Sequence, residues 1–266
     1  MLTRILTGFV LAILAIWASF GFSNLWFGVL CGAVILLAAW EWADLYCQHG
    51  LSKCLYLIGL CLLAWLGYTF FLPMLAVTFV WWVLTLALLA VPLERLVWLK
   101  RTDLMTAIGY LLLVPEWVSA VRLHELSHLV VFTLIMFVCF ADTGAYFIGF
   151  KYGKTPLAPR LSPKKTIAGL WGGLLIGAVA GMSMVVLMPD MTWKKAMLWL
   201  MLGLFIIMVS IVGDLFESLI KRISDTKDSG SLLPGHGGIL DRVDSLCAAL
   251  PIYALILFYL WPSLVR

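Results

Sequence analysis

Charge is what this 266-residue sequence has least of. Asp, Glu, Lys and Arg make up 12% of it, against 64% hydrophobic residues. So little charge cannot cover a water-soluble domain of this length, which excludes an ordinary globular enzyme and leaves an integral membrane protein. Short alternating segments of the kind that build a membrane β-barrel are also missing. Several apolar runs instead approach ~20 residues, the length of a membrane-spanning helix. No two cysteines have C-x-x-C spacing. The six, at positions 31, 47, 54, 61, 139 and 247, fall inside or beside apolar runs and read as small buried hydrophobes. A net charge of +4 is too small to speak for a nucleic-acid partner, and none is expected. The sequence carries no internal repeat of the sort two related transporter halves would leave. It has no G-x-x-x-x-G-K-[ST] order. No clear small-residue cleavage site follows Arg4, so the first apolar run reads as a retained span.

What is present is apolar length. The fold class expected is an all-α polytopic membrane protein of about nine transmembrane helices. They fall at roughly 5–22, 26–46, 54–72, 75–93, 103–120, 127–148, 167–188, 196–220 and 242–262. Thirteen Trp and eight Tyr suit belts at the two membrane surfaces. Alternate connections hold fourteen of the eighteen Lys and Arg, the other four being Arg122, Lys194, Lys195 and Arg266. The richer side is expected to be cytoplasmic, which puts the N-terminus in the cytoplasm and the C-terminus outside. Both long polar loops, 149–166 and 221–241, fall on that side, facing the compartment that holds nucleotides. The chain divides into N-terminal transmembrane helices, 1–125, and a C-terminal catalytic set, 126–266.

The remaining charge is concentrated. Residues 213–244 hold six of the fourteen acidic side chains and four of the basic ones. Charge crowded between two apolar spans is costly unless it has a role. Ser210, Asp214, Glu217, Ser218 and Lys221 fall on one helical face of the eighth span, which must meet protein or water. A loop with Lys227, Asp228, Gly230 and Pro234 to Gly238 follows, its glycines allowing close backbone approach to a ligand. Asp241 and Asp244 then start the ninth span. Carboxylates on two helix ends joined by such a loop suit a hard cation such as Mg²⁺, and the loop's Lys, Arg and His suit phosphates.

Other polar features are weighed against this one. Glu41 and Asp44, near the end of the second span, are expected to face water; the alternative is that they approach the polar site from a neighbouring helix. His124-Glu125-Leu126-Ser127-His128 matches the H-E-x-x-H pattern of zinc proteases. It lies on the opposite side without a visible third ligand, and a solvated helix start explains the same residues. Asp142, expected at the end of the sixth span, is either a solvated cap or a metal or substrate group. Ser162-Pro163-Lys164-Lys165-Thr166 is expected to open the seventh span as an anion site at a helix N-terminus, with Pro163 in the first turn. Gly173, Gly177 and Gly181 repeat every four residues, as in close helix packing within the chain or between subunits of a homodimer.

The stretch from Ser218 through Lys221-Arg222, Lys227-Asp228, Gly230, Pro234-Gly235-His236-Gly237-Gly238, Asp241-Arg242 and Asp244 resembles the signature of the phosphatidate cytidylyltransferases, or CDP-diacylglycerol synthases. Asp142 to Tyr146 and Ser162 to Thr166 resemble the same family in the right order, and so does Gly213-Asp214. The motifs cover the second half of the chain. The first five spans resemble the family only in being apolar. One departure is Ala168, where the family often has an acidic or amide residue.

The resemblance implies transfer of CMP from CTP to phosphatidate, giving CDP-diacylglycerol and pyrophosphate, and the short loops are compatible with a bacterial inner membrane. It implies a cation site at Asp214, Asp241 and Asp244, with Asp142 or Asp228 nearby. Lys221, Arg222, Lys227 and Arg242 would take phosphates. Ser162, Lys165 and Thr166 would bind the lipid phosphate or part of the triphosphate, with Tyr146 beside Asp142. His236, Gly237 and Gly238 would orient a phosphate or the loop. Mg²⁺ is the implied cofactor. A second, monovalent cation such as K⁺ is compatible, because more acids are present than one Mg²⁺ needs. The competing readings are a zinc protease on His124, Glu125 and His128, a phosphate or cation transporter, and a nucleotidyltransferase acting on another lipid phosphate.

Overall fold

The computed structural model describes residues 13–46, 49–188, 190–230, 232 and 237–264. Helical backbone at 13–21 (α1) precedes α2 (Asn24–Leu45), α3 (Leu51–Thr69), α4 (Phe71–Ala90) and α5 (Thr102–Leu126). Then come α6 (His128–Tyr152), α7 (Ile167–Val185), α8 (Trp193–Ile223) and α9 (Leu240–Leu255). The last runs on through a π-helical turn at Ile256–Leu260. Among the described residues eight helices are long and apolar enough to cross a membrane. This is the all-α polytopic architecture expected from the apolar runs, and those eight follow the expected spans in order. The expected first span, 5–22, lies partly outside the described residues.

Three local expectations are corrected. First, α6 continues to Tyr152, so Asp142 stands within the helix, about 15 Å short of its end at 1.5 Å per residue. Second, α8 continues to Ile223, so Lys221 and Arg222 occupy its last turn rather than a loop. Basic side chains there complement the negative end of the helix dipole. Third, Ser162–Thr166 is not the first turn of α7. It is a strand, β2, paired antiparallel with β1 (Pro156–Ala158) through Pro156↔Thr166 and Ala158↔Ser162. Pro163 therefore sits in a strand. The residue before a proline is pushed towards extended backbone, and the hairpin takes up that preference. α7 begins one residue after the motif, with Thr166 as its N-cap: the Thr166 hydroxyl oxygen accepts from the Gly169 N–H at 3.1 Å.

Packing follows from where the chain is small. The glycine stripe is spent within the chain, against α6. A Cβ at Gly173 would stand 2.8 Å from the Ala141 carbonyl oxygen, and one at Gly177 2.7 Å from the Phe137 carbonyl oxygen. Lipid tails are as apolar as the side chains they replace, so close packing of this kind, not transfer from water, holds membrane helices together. α5 and α9 are the most buried spans and α4 the least, so α9 lies at the centre of the bundle. Trp42 on α2 is fully buried, and its indole N–H donates to the Met105 carbonyl of α5 at 2.8 Å. Gly109 leaves room for that ring. α8 crosses α9 at Gly213, where a Cβ would come within 2.6 Å of the Asp244 carbonyl oxygen. At one end of the bundle, Lys100 pairs with Asp225 at 2.6 Å, and the Arg222 Nε–H donates to the Leu161 carbonyl at 3.3 Å. The two polar connections after α6 and α8 therefore meet on the same face.

Gly177→Val should push α7 off α6 at a cost of about 1–3 kcal/mol. The melting temperature of the detergent-solubilised protein should fall by several degrees. Leu175→Val, on the exposed face of the same helix, should leave it unchanged.

Candidate active site

The polar stripe of α8 runs into the bundle. Ser210, Glu217 and Lys221 are buried, and Asp214 is half-buried. Buried charge is tolerated only with partners, and most of these come from other elements. The Lys221 ammonium lies 2.7 Å from Asp241 Oδ1 on α9 and 3.3 Å from Glu217 Oε1 on its own helix. Lys165 reaches Asp214 from β2 as an ion pair. Asp142 on α6 is within electrostatic reach of Asp214, Asp244, Lys165 and Arg242. Residues distant in sequence thus meet at one end of four neighbouring elements.

Asp241 does more than pair with Lys221. Its Oδ2 accepts the Gly238 N–H at 2.8 Å and the Ser229 N–H at 3.1 Å. The N-cap residue of α9, Ile239, offers no capping side chain. An acid in the first turn also faces the positive end of the helix dipole. Asp244, one turn on, accepts the Ser245 N–H at 2.7 Å. Its carboxyl lies against that of Glu217. Beyond the approach of Lys221, the Glu217 oxygens find no donor among the described residues.

The other expected site residues are placed as follows. Tyr146 lies one turn past Asp142, exposed, with its ring stacked on Phe150 at 6.4 Å between centroids. Ser162 begins β2, and Thr166 has its hydroxyl oxygen occupied as a helix cap. Arg222 and Arg242 are exposed at the facing ends of α8 and α9, and Lys227 and Asp228 are exposed in the loop between them. Gly237 has φ +81°, a left-handed conformation that suits glycine. His236 lies outside the described residues.

Of the expected cation set of Asp214, Asp241 and Asp244, Asp214 and Asp244 lie within electrostatic reach of each other. Asp241 is occupied by a lysine and two backbone donors, and Asp214 by Lys165. Among the described residues no three His, Cys, Asp or Glu side chains gather as a metal-binding group. Asp214, Asp244 and the donor-free Glu217 oxygens are nonetheless hard ligands of the type Mg²⁺ takes.

The H-E-x-x-H stretch has no such character. A zinc helix needs both imidazoles on one continuous turn, but α5 ends at Leu126 and Ser127 is extended, with φ −171° and ψ 131°. His124 is spent on structure. Its Nδ1 lies 2.7 Å from Asn24 Oδ1, its Nε2 3.1 Å from the Ser19 carbonyl oxygen, and its ring stacks between Phe27 and His128. Glu125 accepts from the Tyr68 hydroxyl at 2.8 Å.

The Glu41 contact is the alternative that the sequence left open, and the Cys247 contact was not read from it. Glu41 is buried at 3% exposure and does not face water; it reaches the loop between α8 and α9. Its neighbour Asp44 pairs with Lys53 at 2.6 Å. The thiol of Cys247 donates to Glu116 Oε2 at 2.9 Å in the bundle interior. Cys247 is indeed a buried small residue, but its partner is a carboxyl.

An apolar helical bundle that gathers lysines and carboxylates under a glycine-rich loop defines an integral membrane enzyme equipped for phosphate chemistry. The sequence model of the cytidylyltransferase family matches residues 2–260, and the chain belongs to that family. A phosphatidate cytidylyltransferase of Pseudomonas aeruginosa is 38% identical over 265 residues, covering 96% of each chain. One of Haemophilus influenzae is 32% identical over 285 residues, covering 96% of this chain and 98% of its own. One of Bacillus subtilis is 42% identical over 123 residues, 45% of each chain.

Asp241→Ala would leave the Lys221 ammonium and two backbone N–H groups without their acceptor, at a cost of about 3 kcal/mol or more. Thermal unfolding in detergent should show a clear drop for Asp241→Ala and a smaller one for Asp241→Asn, which keeps an acceptor oxygen.

Proposed function

We propose that this protein transfers CMP from CTP to phosphatidate, releasing pyrophosphate and leaving CDP-diacylglycerol in the membrane. The observation that carries the reading is the cluster of Lys165 and Lys221 with Asp142, Asp214, Glu217, Asp241 and Asp244, in a chain of the cytidylyltransferase family. The relatives named phosphatidate cytidylyltransferase support the choice of substrates.

The lipid phosphate is already an anionic nucleophile, so attack on the α-phosphorus needs little base catalysis. What must be overcome is repulsion between two polyanions, which is a matter of fixed positive charge and alignment. Lys165 and Lys221 supply that charge from inside the bundle, and Arg222, Lys227 and Arg242 from its rim. The glycine-rich loop, through Gly237 and Gly238, brings backbone to the triphosphate, and His236 is assigned to orienting a phosphate. Ser162 and Thr166 flank Lys165 on the hairpin, and Asp142 and Tyr146 line the α6 side. The acyl chains stay in the bilayer, so the phosphate enters sideways, between helices.

Mg²⁺ fits the hard oxygens of Asp214 and Asp244 beside Glu217, and when bound it would neutralise charge on the phosphates. Asp241 is assigned to holding Lys221 and the loop, not to the metal. The excess of Lys and Arg on one side supports a cytoplasmic active site and a cytoplasmic N-terminus, and the bacterial relatives support residence in a bacterial inner membrane.

Pyrophosphate release by the purified protein tests the proposal across nucleotides and lipid phosphates. It should require CTP and phosphatidate, stop on chelation and return with Mg²⁺. Asp244→Asn should lower it by about 100-fold or more. Equal turnover with another nucleotide or another lipid phosphate would replace the substrate assignment. Full activity of Asp244→Asn in Mg²⁺ would remove Asp244 from the metal.

A further inference from the structure

We infer that Glu41, on a helix that carries none of the motifs of the site, is the positioning residue of the glycine-rich loop. α2 is fixed in the bundle by the next residue, Trp42, whose buried indole is hydrogen-bonded to α5. From that base the Glu41 carboxylate enters the space between the two ends of the loop. Its Oε2 accepts the Ser229 hydroxyl at 3.2 Å and the Leu240 N–H at 2.9 Å. Ser229 closes the α8 side of the loop, and Leu240 is the first residue of α9, so one oxygen ties both ends together. The first amides of a helix have no partner within it. The Leu240 amide finds its acceptor in Glu41, on another helix.

Asp241 makes the complementary contact from within, accepting the Ser229 and Gly238 N–H groups. Ser229 is thus held twice, by its amide to Asp241 and by its hydroxyl to Glu41. The fit is tight enough to account for two glycines. A Cβ at Gly230 would meet Glu41 first, its Oε1 at 2.5 Å and its Cδ at 2.7 Å. A Cβ at Gly238 would meet both Glu41 and Ser229. The signature loop therefore has glycine at 230 and 238 because a carboxylate from α2 occupies the space a side chain would need. Glu41 Oε1 is buried without a hydrogen-bond partner among the described residues, so it is Oε2 that holds the loop.

The inference rests on the reading that this loop receives the triphosphate. Glu41→Ala should raise KM for CTP by about tenfold and leave KM for phosphatidate unchanged, the pattern of a misplaced nucleotide loop. Glu41→Gln keeps an acceptor oxygen for both donors and should stay within about threefold of the native protein. Glu41→Asp, which withdraws the carboxylate by one methylene, should fall between and serves as the second variant where Glu41→Ala does not fold. Gly230→Ala should impair the native protein, yet add little in the Glu41→Ala background, since the nearest atoms it meets belong to Glu41. Hydrogen exchange over 229–241 gives a readout independent of turnover, and should be faster in Glu41→Ala and Glu41→Asp but not in Glu41→Gln. Unchanged exchange and CTP kinetics in Glu41→Ala or Glu41→Asp, equal losses in Glu41→Gln and Glu41→Ala, or additive losses with Gly230→Ala would each overturn the assignment. Faster exchange in Glu41→Ala, together with a native protein that turns over no CTP, would overturn the function and leave the positioning role standing.

Discussion

A lysine ammonium among carboxylates inside an apolar bundle is the constraint on which the site depends. Lys221 stands between Glu217 and Asp241 with almost no access to solvent. Ions brought into such surroundings are stable only while each has its partner. That requirement joins α8 to α9, and the Lys165–Asp214 pair joins the β1–β2 hairpin to α8 in the same way. The close helix crossings at Gly213 and along the α6–α7 glycine stripe are what bring the charged ends near enough to pair. Packing and electrostatics are therefore not separate parts of this fold. Small residues set the helix distances, and the distances decide which charges meet.

The helical architecture was legible because hydrocarbon leaves backbone so few options. Eight expected spans coincide with observed ones, and the polar stripe of α8 was visible as a spacing of Ser210, Asp214, Glu217 and Lys221. The ends of the elements were less legible. Helices α6 and α8 run past the apolar window into residues such as Lys151 and Arg222, because a helix can leave the membrane without stopping. The strand at Ser162–Thr166 was missed because a cap residue and a helix start can be read from sequence, whereas a partner strand at Pro156–Ala158 needs the hairpin between them. Which acid does what was also illegible. Asp214, Asp241 and Asp244 look alike in sequence. Only the geometry separates Asp241, bound to two backbone amides, from Asp244, left beside another carboxyl.

The two halves of the chain are less independent than their motifs imply. The N-terminal spans read as plain hydrocarbon, yet Glu41 and Trp42 on α2 and Glu116 on α5 all touch the C-terminal set or the helix beside it. Long-range pairs of this kind leave no periodic trace in a sequence. A single acid near a helix end reads as solvated until its partner, far along the chain, is known.

The central claim is that this polar end of the bundle moves a nucleotide phosphorus onto a lipid. Following the α-phosphorus of isotopically labelled CTP measures that transfer directly, using purified protein, phosphatidate and Mg²⁺. The account predicts that the α-label passes into the lipid fraction while a γ-label leaves as pyrophosphate. An α-label that stays entirely in water-soluble nucleotide, with the lipid unlabelled, would contradict it.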